Sequence, residues 1–190
     1  PSTKNARSSP NELPKTKMDA LQISKILKKD PFTRKWFRGF STPDLDLPAS
    51  GARRPKAKTP ELYVLNTDSY KGPGIHWCVA IFPPGGKPCE FFDPLGKPPQ
   101  EYKFHGRLFK KSKVVRFMEF PVQATTSSTC GHHCLFFAYY RSRGLSKSRV
   151  IKKYSRTNLT SNDEMVFNFV KKMFPKYVSV STVIPPSSPL

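Results

Sequence analysis

The sequence predicts a single α+β domain, because strand-like and helix-like segments occupy different parts of the chain. Between Leu62 and Phe120, short apolar segments separated by Pro- and Gly-rich turns are typical of strands. From Cys130 onward, longer apolar segments that end at Gly144 and before Pro175 are typical of helices. The 190 residues, 37% of them hydrophobic, are enough for one domain with a core and too few for two. We therefore expect helices packed on one sheet.

The domain is expected to span residues 16–184. Residues 1–15 are polar, basic and interrupted by Pro, which predicts a flexible arm. Residues 48–60 combine Pro and Gly with several cations, which predicts an exposed basic loop. Near the other end, Tyr177–Ile184 predicts a last extended segment, and the Pro- and Ser-rich residues 185–190 predict a flexible tail.

The first predicted element is a helix from Met18 to Leu27, which ends before Pro31. Four strands are predicted after it. A six-residue turn, Pro83–Pro88, separates the second strand from the third and predicts that they form a hairpin. The four strands are Leu62–Asn66, Ile75–Phe82, Cys89–Asp93 and Val114–Phe120.

Two helices are predicted to complete the domain. One begins near Cys130 and ends at Gly144, a natural stop signal for a helix. The other follows Ser161, because Ser161 and Glu164 have the spacing of a capping box before an apolar run, and Pro175 lies just beyond it.

The chain is strongly basic, with 33 Lys and Arg against 13 Asp and Glu and a formal net charge of +20. Such an excess favours contact with polyanions such as nucleic acid, although cations also keep a small protein soluble. The candidate contacts lie in the basic loop and before the fourth strand: Arg53, Arg54, Lys56, Lys58, Lys110, Lys111 and Lys113.

The four cysteines do not have the density of a disulfide scaffold, so we expect free thiols in a reducing compartment. No apolar run approaches the roughly 20 residues that cross a bilayer. The amino terminus lacks the apolar segment of a signal peptide. We therefore expect neither membrane insertion nor secretion.

A histidine and an aspartate are predicted to meet at one end of the hairpin. If the turn places Phe82 opposite Cys89, then Asp93 lies on the same face of the sheet as His76, one diagonal step away. A carboxylate at that distance can hydrogen-bond the imidazole and fix its tautomer. Taken singly, a histidine beside Trp in a strand is also typical of a structural residue, and an Asp before Pro is typical of a turn.

Cys130 is predicted at the start of a helix, after N-cap candidates in residues 127–129. The positive end of the helix dipole favours a thiolate there, and the free N–H groups of the first turn can bind an oxyanion. Gly131 leaves room for a substrate near the backbone. Gln123 adds an amide donor aimed at the same space. These are the groups that thiol acyl transfer requires.

A metal site is the alternative at this helix, because Cys130, His133 and Cys134 cluster ligand types within one turn. Zinc sites usually contain paired Cys units with partners elsewhere in the chain, and the other cysteines here lie eleven residues apart in predicted strands. We therefore expect no metal. The position of Cys134 is more typical of a small core residue.

Four segments together resemble the adenovirus-type cysteine endopeptidases, the adenain family. The segments are Gly74–Trp77, Phe91–Gly96, Gln123 and Ser128–Gly131, and the intervals of 17 from His76 to Asp93 and of 7 from Gln123 to Cys130 match that family. The wider clan includes the SUMO-deconjugating proteases. The resemblance implies a papain-like, SUMO-protease-like core in which a central helix carries the nucleophile against a mostly antiparallel mixed sheet.

The resemblance also implies roles for the site residues. Cys130 attacks the scissile carbonyl, His76 acts as general base and then as acid, and Asp93 orients His76. Gln123 and the backbone N–H of Cys130, with that of Gly131, form the oxyanion hole. Trp77 lines the cleft, although core packing is an equally good interpretation of a Trp there. No cofactor is chemically required.

Two departures from the family pattern stand out. The acid is Asp93, where adenoviral enzymes usually have Glu. Ser112 occupies the position of the cysteine with which the adenoviral enzyme captures an activating peptide, which argues against covalent capture here. Both differences imply a distant relative, such as a protease of an adenovirus-like element of the adintovirus or Maverick/Polinton type.

By this resemblance, the chain is expected to be a viral maturation protease that cuts precursor polypeptides after small residues such as Gly. Non-specific DNA and a peptide are the expected activators. The protein is expected to act in the virion and the host nucleus, and to be a monomer. Two other hypotheses remain. One is a deconjugase of a ubiquitin-like modifier, and the other is a basic nucleic-acid-binding protein with an inactive protease fold.

Overall fold

The computed structural model describes residues 17–47, 58–69, 71 and 75–177. The predicted arm and tail, nearly all of the predicted extended segment after residue 176, and the cations Arg53, Arg54 and Lys56 lie outside the described residues. Within the described ranges, no helix is both long and apolar enough to cross a membrane.

In the described part of the chain, five strands form one sheet whose spatial order is the order of the chain. The three central strands are antiparallel, and each edge strand pairs in parallel with its neighbour. All six residues of the middle strand are buried, so both faces of the sheet are covered. The strands are β1 Phe37–Ser41, β2 Glu61–Asn66, β3 Trp77–Phe82, β4 Cys89–Phe92 and β5 Val115–Arg116.

The described residues form six α-helices and two short 3-10 turns, which lie at Pro99–Glu101 and Pro175–Tyr177. Asp19 begins the first helix with a capping box that includes Gln22. The helices are α1 Ala20–Lys29, α2 Thr33–Trp36, α3 His105–Lys111, α4 Cys130–Ser142, α5 Lys147–Ile151 and α6 Leu159–Met173.

Helix α4 is the central element of the main core. Its residues from Cys130 to Ala138 are all buried, because β3, α1 and α6 pack around it. Phe137 stacks on Phe92 of β4 with ring centroids 4.3 Å apart. A second core, which includes Leu108 of α3, covers the other face of the sheet. The predicted α+β class, with a central helix on a mixed sheet, is confirmed.

Two predicted boundaries are wrong. The fourth predicted strand, Val114–Phe120, is observed only as the two residues of β5. Further along the chain, the N–H of Val122 bonds to Pro94 O. The predicted capping box at Ser161 is also incorrect. Asn158 caps α6, and its side chain accepts from the backbone N–H of Ser161, so Ser161 lies inside the first turn.

Candidate active site

The β3–β4 hairpin brings His76 and Asp93 together. Val79 pairs with Phe92 and Ile81 with Glu90, which is the register that the six-residue turn predicts. His76 immediately precedes β3 and Asp93 immediately follows β4. His76 Nε2 lies 2.6 Å from Asp93 Oδ1, and the two residues are 7% and 1% exposed.

The Asp93 carboxylate is held by several donors as well as by His76. Its oxygens accept from the backbone N–H of Leu95 at 2.8 Å and of Lys97 at 3.2 Å, and from the Tyr102 hydroxyl at 2.6 Å. Asp93 is therefore both the turn former and the partner of the imidazole. Tyr102 is a functional candidate that sequence reasoning missed, because no local pattern links a tyrosine in a loop to a carboxylate nine residues earlier.

Cys130 is the first residue of α4 and is 3% exposed. Its side chain lies close enough to the His76 imidazole to contribute to the raised pKa of that group. Since Nε2 of His76 is bonded to Asp93, Nδ1 is the ring nitrogen left to interact with the sulfur. Thiol, imidazole and carboxylate thus lie together in one buried site, in the order that activates a cysteine nucleophile.

The surroundings of His76 favour its charged form. Burial opposes the imidazolium, but the hydrogen bond and negative charge of Asp93, with the nearby side chain of Cys130, outweigh burial and raise the pKa of His76 to about 9. A histidine that stays protonated beside a sulfur stabilises a thiolate, so the site is suited to an imidazolium–thiolate pair.

Gln123 lies 3% exposed in the loop that leads to α4. Its Nε2 donates to Ser127 O at 2.9 Å, which leaves the second N–H of that amide group to bind another acceptor. The backbone N–H groups of Val122 and Gln123 both donate to Pro94 O, at 2.8 and 3.1 Å. The loop that carries Gln123 is therefore attached directly to the turn that carries Asp93.

Two predicted site residues make different contacts from those expected. Trp77 is 2% exposed and its indole N–H donates to Met18 O at 2.9 Å, so its predicted cleft position is corrected to a core position. A Cβ on Gly131 would lie 3.0 Å from Met18 Cβ and 3.2 Å from Ile23 Cδ1. The small size of Gly131 thus accommodates the residues at the start of α1, and room for a substrate beside its backbone stays a prediction.

The residues of the alternative metal site are bonded to other partners. His133 Nε2 lies 2.8 Å from Asp163 Oδ1, and the Cys134 thiol donates to Trp77 O at 3.2 Å. Among the described residues, three ligand-type atoms come within 4.8 Å of one another at His76, Cys78 and Asp93, and the first and last of these already share a hydrogen bond. The geometry favours thiol chemistry at Cys130 over a zinc site there.

The predicted cation contacts are partly engaged within the chain. Lys111 Nζ lies 2.8 Å from Glu61 Oε2 and over the ring of Phe82, whereas Lys58, Lys110 and Lys113 are exposed. The Ser112 hydroxyl, at the position predicted for peptide capture, donates to Val114 O and accepts from the N–H of Cys89. Ser112 thus contributes to the edge of the sheet.

Gly96 permits close contact between the Asp93 turn and the Gln123 loop. Its φ is +73°, and a Cβ there would lie 2.2 Å from the carbonyl carbon of Phe120. We expect Gly96→Ala to force the two loops apart, to cost at least about 2 kcal/mol of the free energy of unfolding, and to lower kcat/KM about 100-fold. Thermal denaturation and peptide-cleavage kinetics measure both effects.

Gly144→Ala is the matched control, because Gly144 also has a positive φ, +89°, but no atom within 4 Å of a Cβ. We expect it to cost only about 1 kcal/mol and to leave kcat/KM unchanged. Equal losses of stability and activity in the two variants would contradict the role given to the Gly96 contact.

Comparisons with known proteins are consistent with this geometry. A family model described as adenovirus endoprotease matches residues 55–179. The protease of Bovine adenovirus 7 is 28% identical over 136 residues, which cover 57% of this chain and 67% of that relative. Two crystal structures of an ASFV protease, one of them with selenomethionine, are each 18% identical, with TM-scores of 0.47 and 0.48. They cover 81% and 83% of this chain and 68% of their own chains.

An α+β chain that matches the adenovirus endoprotease model and an adenoviral protease, with a cysteine, histidine and aspartate in one buried site, is a cysteine protease, a hydrolase of polypeptides. More particularly, it belongs to the adenovirus endoprotease family, whose model matches well over half of its length. The resemblance stated from the sequence is confirmed at the level of the family, and with it the prediction of an enzyme.

Proposed function

We propose that this viral cysteine endopeptidase processes precursor polypeptides with Cys130 as the nucleophile, His76 as base and acid, Asp93 as orienter and Gln123 as oxyanion donor. The hydrogen bond between His76 and Asp93, with Cys130 beside the same imidazole, carries the proposal. The three groups come from a helix start and two strand ends, and all three are buried. Burial strengthens the electrostatic interactions among them.

The geometry supports a defined order of steps. His76 takes the Cys130 proton, and the sulfur attacks the scissile carbonyl carbon to form a tetrahedral oxyanion. The oxyanion is bound by the free N–H of Gln123 and by the N–H groups of the first turn of α4, at Cys130 and Gly131. His76 protonates the leaving amine, and then takes a proton from the water that hydrolyses the thioester.

The raised pKa of His76 ties this site to pH. Because the pKa is about 9 in the folded chain and about 6.5 in an unfolded one, the site stabilises the fold fully below pH 6.5 and loses that contribution as the pH rises through 9. The imidazolium–thiolate pair is lost over the same alkaline range. Activity is expected to fall there.

Alkylation of the thiols by iodoacetamide tests the proposal. We expect Cys130 to react faster than the other three cysteines, because the imidazole of His76 assists its reaction, and this selectivity to disappear in His76→Ala. Mass spectrometry identifies the modified cysteine. Equal reaction of all four cysteines, with no effect of His76→Ala, would contradict the proposed nucleophile.

The nature of the substrate is the finer part of the proposal. Because the chain belongs to the adenovirus endoprotease family, we infer that it cleaves viral structural precursors after small residues such as Gly. A ubiquitin-like modifier conjugate is the second candidate, since the clan resemblance extends to SUMO proteases. Fluorogenic peptides of viral type and modifier-tail conjugates, compared by kcat/KM, separate the two substrates.

We propose non-specific DNA and a peptide as activating partners, and the virion and host nucleus as the place of action. The net charge of +20 and the exposed Lys110 and Lys113 support the first. A groove of about 890 Å³ beside the edge strand β5 supports the second. Because Ser112 has no thiol, the peptide would bind without a disulfide at that position. Repeating the alkylation assay with DNA present tests whether DNA changes the reactivity of Cys130.

A further inference from the structure

A buried carboxylate outside the proposed catalytic groups spans the loop that precedes α4. Asp163 lies on α6 and is 1% exposed. Its Oδ1 accepts from the Thr129 hydroxyl at 2.8 Å and lies 2.8 Å from His133 Nε2. Its Oδ2 accepts from the backbone N–H of Ala124 at 3.2 Å. One side chain therefore contacts both ends of the segment between Gln123 and Cys130.

The neighbouring residue on α6 strengthens the same attachment. Asn162 is 2% exposed and its Nδ2 donates to the carbonyl oxygens of Val122 and Ser155, each at 2.9 Å. The loop at residues 122–129 is thus bonded to α6 through two consecutive side chains. No pattern in the sequence links this helix to the loop, because Asp163 is 39 residues from Ala124.

The pair that Asp163 forms with His133 is not a second catalytic pair. His133 is 0% exposed, and its Nδ1 has no partner among the described residues and no path to a substrate. Burial lowers the pKa of His133, so its imidazole is neutral and donates through Nε2. The negative charge of Asp163 is therefore balanced by three hydrogen-bond donors.

We infer that Asp163 is a positioning residue for the oxyanion hole. The inference rests on the proposed function, in which Gln123 and the Cys130 N–H bind the oxyanion. Both donors belong to the segment that Asp163 holds at Ala124 and Thr129. This position requires a carboxylate, because hydrogen-bond donors approach both oxygens of the Asp163 side chain and each oxygen must act as an acceptor. An amide in this place would turn an N–H group toward one of these donors.

The test is Asp163→Asn in the intact chain. We expect kcat to fall about 10- to 100-fold while KM stays within about threefold, because the transition state loses donors that the bound substrate does not need. The alkylation rate of Cys130 is expected to stay within about threefold, because the sulfur keeps His76. Affinity for a peptide aldehyde, which forms an oxyanion on the sulfur, is expected to fall by about the same factor as kcat/KM.

Two further variants separate positioning from folding. Thr129→Val removes the hydroxyl that donates to Asp163 from the loop and keeps the shape of the side chain. We expect kcat to fall in this variant too, by a factor about a third to a tenth of that seen in Asp163→Asn. His133→Leu removes a donor from the same carboxylate without touching the loop. It is expected to lower the melting temperature and to leave kcat within about threefold.

The inference is overturned if Asp163→Asn, or Thr129→Val should the former not fold, leaves kcat unchanged. A parallel fall of alkylation and kcat overturns it as well, because α4 itself would then have moved. A different result would contradict the proposed function itself, namely a Cys130→Ser variant that cleaves peptides as fast as the parent chain.

Discussion

Cys130→Ser is expected to lower kcat/KM for a cleavable peptide by at least about 10⁴-fold, the largest effect predicted for this enzyme. A serine hydroxyl would occupy the position of the sulfur, but it is much less acidic than a thiol. The His76 imidazole is therefore not expected to activate it, and attack on the carbonyl is lost. Binding is expected to survive, because the side chain is 3% exposed and contributes little contact area. Cleavage kinetics, together with affinity for an uncleaved product peptide, measure the two effects.

Cys134→Ser is the matched control for this substitution. Cys134 lies one turn further along α4, is 1% exposed, and donates to Trp77 O, a bond that a serine hydroxyl can keep. We expect kcat/KM within about threefold of the parent chain. Retention of a tenth of the activity in Cys130→Ser, or a comparable loss in Cys134→Ser, would show that the nucleophile lies elsewhere.

Asp93→Asn is expected to lower kcat/KM by about 10³- to 10⁴-fold and to move the alkaline limb of the pH profile. The carboxylate stabilises the imidazolium of His76, so its removal lowers the pKa of His76 from about 9. The imidazolium–thiolate pair then persists only to a lower pH. The fall in activity on raising the pH is therefore expected to begin earlier in the variant than in the parent chain.

Tyr102→Phe distinguishes the charge of Asp93 from the packing around it. The variant loses one donor to the carboxylate and keeps the ring and the negative charge. We expect less than about a tenfold loss in kcat/KM and an alkaline limb close to that of the parent chain. If Asp93→Asn left the alkaline limb where it is in the parent chain, the role of Asp93 in tuning His76 would be wrong.

The hairpin that joins His76 to Asp93 could be predicted because both determinants are local. The six-residue turn sets the register, and period-2 alternation places the two side chains on one face. The start of α4 at Cys130 agrees with the prediction, but Thr129 at the N-cap position makes no side-chain capping bond and its hydroxyl donates to Asp163 instead. Gly144 ends that helix region with a positive φ, as a C-terminal glycine does.

The contacts that could not be predicted join residues far apart in the chain. Beyond β5, Val122 donates its N–H to Pro94 O in another turn, a contact that no local pattern indicates. Asp163 reaches a loop more than 30 residues away, and its type alone is equally consistent with an exposed first-turn carboxylate. Burial of Trp77 depends on Met18, which no periodicity connects to it.

All four cysteines of the chain are free and buried, and the proposed nucleophile is only 3% exposed. Peroxide and glutathione must touch a sulfur to oxidise it or to form a mixed disulfide. A thiol enclosed in this way meets such reagents far less often than one on the surface. Burial is therefore expected to slow the oxidation of all four thiols, and the greater reactivity predicted for Cys130 comes from His76 and not from exposure.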